Sequence, residues 1–191
     1  GFDLRVTLLA LSEPADALPS LVKRLRSEKI NIGLIPQLNT METGQKPAQT
    51  LYATDNQIMS LLPFAGNWET DHLEPTAIWD YDPQRVIACS AGITSFGIRA
   101  DGSIVPCQVF SSPVLGHIST DSLASVLAGD ARRRFLEANV IPDTCRACSV
   151  RPFCMRCPAD AMYETGSLTG IPAESCRIAK LRAKFHIDSR M

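Results

Sequence analysis

The stretch "CRACSVRPFCMRC" (Cys145–Cys157) holds four of the chain's seven cysteines, as two C-x-x-C pairs with five residues between them. Thiols at this density are a disulfide framework, a redox pair, a zinc site or ligands for an iron–sulfur cluster. Zinc accepts two such hooks, but a zinc ribbon usually sets them about 15–20 residues apart so that a hairpin fits between. A thioredoxin-type centre needs a single C-x-x-C where a helix starts after a strand. Two hooks in a loop-rich stretch do not look like that, and the zinc pattern leaves Cys89, Cys107 and Cys176 unused, although cysteine also packs well as a small hydrophobe. A division of seven into four and three suits iron–sulfur chemistry, where four thiolates ligate a cubane fully. Short turn-rich segments then supply backbone N–H groups aimed at the sulfurs.

Composition narrows the surroundings. At 191 residues the chain makes one large domain or two small ones, with 45% hydrophobic and 20% charged residues as in ordinary globular proteins. A net charge of −1 gives no electrostatic footprint for nucleic acid or an anionic membrane. The single tight basic run, Arg132–Arg134, reads as a solvated helix face. No apolar run approaches the roughly 20 residues of a membrane span. The opening "GFDLRVTLLALSEPADALP" lacks the basic flank of a secretory signal. The expected location is the cytoplasm, where thiols stay reduced, and an odd seven cysteines also argues against pairwise staples.

The first third predicts an α/β unit, with a strand in Leu4–Leu11, a helix over Ala17–Glu28 and a second buried strand over Ile30–Pro36. Strand, helix and strand at this spacing make a parallel pair, which cannot stand alone because parallel sheets are buried on both faces. A polar loop (Asn39–Thr50) and a short helix capped by Thr54 or Asp55 follow. The Pro- and Asp-rich stretch beyond Gly66 reads as a linker, and its Trp68 and Trp79 suit packing between domains. All seven cysteines come after it. "ITSFGIRADGSIVPC" (Ile93–Cys107) predicts a hairpin turning at Asp101-Gly102, with Phe96, Ile98 and Ala100 on one face. Short helices follow, one capped by Asp121 and stopped at Gly129, and a last helix spans Ala173–Ile187.

The cysteine order carries a family resemblance. Cys89, twelve residues, Gly102, four residues and Cys107 lead to C-x2-C-x5-C-x2-C and a final Cys176. This closely resembles the SPASM domain, the C-terminal module of many radical S-adenosylmethionine (radical SAM) enzymes, whose pattern is C-x9–15-G-x4-C, a gap, C-x2-C-x5-C-x3-C, a gap, then C. "IRADGSIVPC" is similar to its hairpin, "LGHISTDSL" (Leu115–Leu123) to the segment after it, and "FCMRCPAD" to its third and fourth ligands in the tail. One residue is missing from the family spacing, between Cys154 and Cys157.

The resemblance implies two [4Fe–4S] clusters with interleaved ligands. Cys145, Cys148, Cys154 and Cys176 would hold one, and Cys89, Cys107 and Cys157 the other. It implies an α+β architecture, in which residues 1–66 end a partial (β/α) barrel, 67–88 link, and 89–191 form the auxiliary-cluster domain. The expected partners are a peptide or protein substrate and an N-terminal radical SAM core. S-adenosylmethionine would enter through that core, since its C-x3-C-x2-C motif is not found in these residues. His117 is a conceivable extra ligand; it, His72 and His186 read better as surface or core histidines. Asp160 and Glu164 could touch substrate but read as solvated loop carboxylates. The alternatives are a zinc-stabilised four-cysteine interaction module without redox chemistry, and a cluster-bearing scaffold that recognises a peptide without chemistry.

Overall fold

The computed structural model describes residues 5–64, 84 and 86–188. Most of the expected linker, with Trp68, His72 and Trp79, lies outside the described residues.

Strands β1 (Arg5–Leu9) and β2 (Asn31–Ile35) pair in parallel, Val6 opposite Ile32 and Leu8 opposite Leu34. Helix α1 (Leu18–Ser27) is the crossover a parallel pair requires. Proline opens its first turn, where a missing N–H costs nothing. It ends in a Schellman arrangement: Ile30 N–H donates to Leu25 O and Lys29 N–H to Arg26 O, with Lys29 itself left-handed at φ 60°. Helix α2 (Asp55–Leu61) is capped by Thr54, which forms a reciprocal capping box with Gln57.

Among the described residues the parallel pair has no third strand, and its cover comes from far along the chain. The last helix, α7 (Ala173–Asp188), places Ile178 and Leu181 in one core with Leu18 of α1, Leu34 of β2, and Ile58 and Leu61 of α2. Arg177 reinforces the contact, donating to Asp55 Oδ1 at 2.5 Å and Ala53 O at 3.2 Å while paired with Glu174.

A second core lies in the cysteine-bearing half. Strands β3 (Gly97–Ile98), β4 (Ser103–Val105) and β5 (Gly116–His117) form an antiparallel sheet in that order. The β3–β4 turn is a three-residue loop, not the expected two-residue one: Arg99 N–H donates to Ser103 O at 2.9 Å, and Gly102 takes φ 88°. The apolar residue of β3 is the one turned outward. Ile98 is 66% exposed and Gly97 is buried. Gly97 faces inward because a Cβ there would stand 2.9 Å from the Cys107 backbone.

Helices α3 (Leu123–Ala128) and α4 (Asp130–Ala138) follow. Ser122 caps α3; Asp121, the expected cap, accepts instead from His117 N–H at 2.8 Å. Ile104, Val105, Phe110, Val126 and Phe135 fill the core, with Phe110 edge-on to Phe135 at 5.3 Å. The arginine run is less free than its sequence suggests. Arg132 donates to Gly92 O at 2.6 Å, while Arg133 pairs with Asp130 and Glu137 on the open face.

Candidate metal centre

Three short elements shape the cysteine-rich stretch: α5 (Asp143–Arg146), a 3-10 turn at Arg151–Phe153 and α6 (Pro158–Thr165). Each is too short, or too broken by proline, to show a helical period in sequence. Consecutive turns link them, with Cys148 N–H donating to Cys145 O, Arg151 N–H to Cys148 O and Cys154 N–H to Arg151 O. Cys145, Cys148 and Cys154 thereby face one cavity of about 100 Å³, and Cys176, from the first turn of α7, completes its thiol lining. Burial pushes the Cys154 thiol up to about 11, opposed by the Arg156 backbone N–H, while the neighbouring Cys176, Cys145 and Cys148 raise it further. Burial raises Cys176 too.

The other three cysteines do not line this cavity. Cys89, Cys107 and Cys157 are partly buried and pack against the second core, whose members include Phe110, Phe135 and Ala159. Cys157 precedes α6, and Ala159 and Asp160 in the first turn of that helix present N–H groups that pull its thiol back down. Burial nevertheless dominates and holds it up at about 11, with Asp160 and Cys89 adding to the rise. Val109 N–H donates to Cys107 Sγ at 3.4 Å. Tyr163 steadies the segment that follows, its hydroxyl donating to Val109 O at 2.8 Å and accepting from Ser111 N–H at 2.7 Å. Fully buried Asn139 donates from Nδ2 to Cys89 O at 3.2 Å, and this amide also lies 3.8 Å from the Cys89 sulfur. Nothing in the sequence around Asn139, a helix C-cap, marks it as a cysteine-positioning residue.

All seven cysteines are unpaired. Among the described residues no three His, Cys, Asp or Glu side chains form a group that could hold a metal ion.

The two described histidines make other contacts. His117 Nε2 is 2.7 Å from Asp101 O and Nδ1 is 2.7 Å from Ser119 Oγ, so the ring pins the β3–β4 turn. His186 is buried against Phe153. Asp160 and Glu164 depart from expectation: both lie on α6 and neither is a solvated loop carboxylate. Asp160 is 2% exposed and Oδ2 accepts from Gln37 Nε2, which also reaches Ser175 Oγ. Burial raises its carboxyl to about 6. Glu164 accepts from Lys46 at 2.8 Å. These two line a polar cavity of about 440 Å³ between the loop after β2, the start of α2, α6 and the start of α7. The walls of this cavity come from four separate segments, so no local stretch of sequence signals it.

Residues 89–149 match SPASM, described as an iron-sulfur cluster-binding domain. The SPASM match takes in Cys89, Cys107, Cys145 and Cys148 and stops before Cys154, Cys157 and Cys176. Solved structures similar to the chain include native anSMEcpe with bound AdoMet (TM-score 0.69, 14% identity, covering 97% of this chain and 55% of that one). Two others are the same protein with bound AdoMet and a peptide, Cp18Cys (TM-score 0.67) or Kp18Cys (TM-score 0.69), each at 14% identity and covering 97% of this chain and 56% of that one. The chain thus spans a little over half the length of these structures, and at this identity the likeness is one of fold. No curated protein matches it in sequence. Among the described residues no helix is long and apolar enough to cross a membrane.

Proposed function

We propose that this chain is the auxiliary-cluster part of a radical SAM enzyme that modifies a peptide or protein. In this reading Cys145, Cys148, Cys154 and Cys176 hold one [4Fe–4S] cluster, and Cys89, Cys107 and Cys157 hold a second. The observation that carries it is that four thiols line one cavity while the other three each pack against the second core. The donor set suits the group. One zinc ion draws its thiolates to about 2.3 Å from a single point, whereas a cubane spreads its ligands over four irons. The first-turn N–H groups of α6 and that of Val109 supply the positive dipoles that thiolates around a cluster need.

When bound, such clusters pass single electrons or anchor substrate through an open iron. The protein's own part is to bury the thiolates, aim N–H groups at them and set the local charge. The parallel β1–β2 pair is read as the last strands of a partial barrel, with 67–88 as linker and 89–191 as the cluster domain. The rest of the barrel, with the S-adenosylmethionine site, would come from a radical SAM core, so this chain is not expected to act alone. The polar cavity of about 440 Å³ borders both halves and is the proposed seat of the peptide. Seven unpaired thiols suit the reducing cytoplasm.

The test is anaerobic purification followed by iron, sulfide and zinc analysis with a visible spectrum. Two cubanes give about eight irons per chain with matching sulfide. Stoichiometric zinc with little iron in an oxygen-free preparation would replace this reading with the zinc-stabilised module.

A further inference from the structure

Arg156 sits between Cys154 and Cys157 in the chain, and its side chain lines the cavity of Cys145, Cys148, Cys154 and Cys176. One edge of the guanidinium is tied down. Nε donates to Gly170 O at 3.0 Å, and Nη2 donates to the same oxygen at 2.7 Å and to Leu168 O. The third nitrogen, Nη1, is buried and has no hydrogen-bond partner. An arginine does not shed its proton to escape such a position, and a buried cation without a counter-charge is costly. Burial is accordingly the main influence on this group, and the opposing pulls come from Cys145, Cys154, Cys157 and Cys89. The first two belong to the cavity and the last two to the group on the second core.

We infer that Arg156 is the shared positive charge between two iron–sulfur clusters, with Nη1 as its available donor, and that it raises the reduction potential of both. The inference rests on the cluster reading above. Reduction adds one electron to an already anionic assembly, so a fixed cation beside it favours the reduced form. Net charge and hydrogen bonds to sulfur are the protein's means of setting that balance. Arginine suits the place better than lysine because its planar fork spends two nitrogens on the Leu168–Gly170 turn and still presents a third.

The experiment is an EPR-monitored redox titration of the whole chain, oxygen-free, for wild type, R156K and R156Q, with iron and sulfide counted in each. In R156Q the clusters load normally and the reduced-to-oxidised ratio at a fixed potential falls about tenfold, a shift of ~59 mV for a one-electron couple. R156K stays within about threefold of wild type. Loaded R156Q with unchanged potentials overturns the inference, as does an equal shift in R156K. Should R156Q fail to load, R156K decides: loading rescued by lysine supports the need for charge, whereas failure of both makes Arg156 a prop for the 168–170 turn and overturns it. Wild type that holds no iron fails the cluster reading itself, a separate result.

Discussion

The two groups of cysteines are built in contrasting ways. The group facing the cavity takes three members from ten consecutive residues, Cys145–Cys154, and a fourth from the start of α7. The group on the second core takes Cys89, Cys107 and Cys157 from three distant segments, each held by its own support: Asn139 for Cys89, Gly97 and Val109 for Cys107, and the first turn of α6 for Cys157. Local turns position the first group, and long-range packing positions the second. Cys148 of the first group is exposed, whereas the members of the second are all partly buried. The first group should therefore depend on its thiols and its final helix, and the second on the integrity of an apolar core.

The strongest way to break this contrast is to remove one thiol from each group. Cys176→Ala is expected to lose about half of the iron and leave the Cys89/Cys107/Cys157 cluster; Cys107→Ala should do the reverse. Iron per chain and the EPR spectrum distinguish the two, and a variant that empties the opposite group would void the proposed division. Next in size is Phe135→Ala, at 3% exposure beside Phe110. It should cost about 3–5 kcal/mol in urea unfolding, with iron lost from the core group first; equal loss from both groups would erase the distinction. Asn139→Ala removes the donor to Cys89 O and should cost about 1–3 kcal/mol. Its signature is a change in the core group's spectrum alone. Smallest is Thr54→Ala, which breaks the capping box of α2 at about 1 kcal/mol. It lies outside both groups, so iron content should hold at full occupancy while the midpoint of denaturation falls.

Much of the scaffold was legible because its signals are local. The apolar runs flanking α1, the Thr54 cap and the place, though not the length, of the Gly102 turn each follow from a few neighbouring residues. What was hidden depends on distant partners. Ile98 points outward despite its hydrophobicity, because the close backbone of Cys107 leaves room only for a glycine to face in. Asp121 looked like a helix cap, yet the β5 backbone claims its carboxylate and Ser122 caps in its place. Asp160 and Glu164 looked solvated because the loop after β2, which covers them, lies more than a hundred residues earlier. The crowding of Cys145–Cys157 was plain to read, while the buried charge of Arg156 among those thiols could not be seen without the 168–170 turn that holds it.

Helix α7 carries Cys176 in its first turn and, further along, the Ile178 and Leu181 side chains that roof the parallel strands. A sulfur and an apolar anchor thus ride on one stiff rod. If heat or denaturant frays the β1–β2 pair, the rod loses its seat and the sulfur is drawn away from its neighbours. The colour of a loaded chain would then fade in step with the melting of strands that touch no metal, making absorbance in the visible a gauge of the half that carries no cysteine.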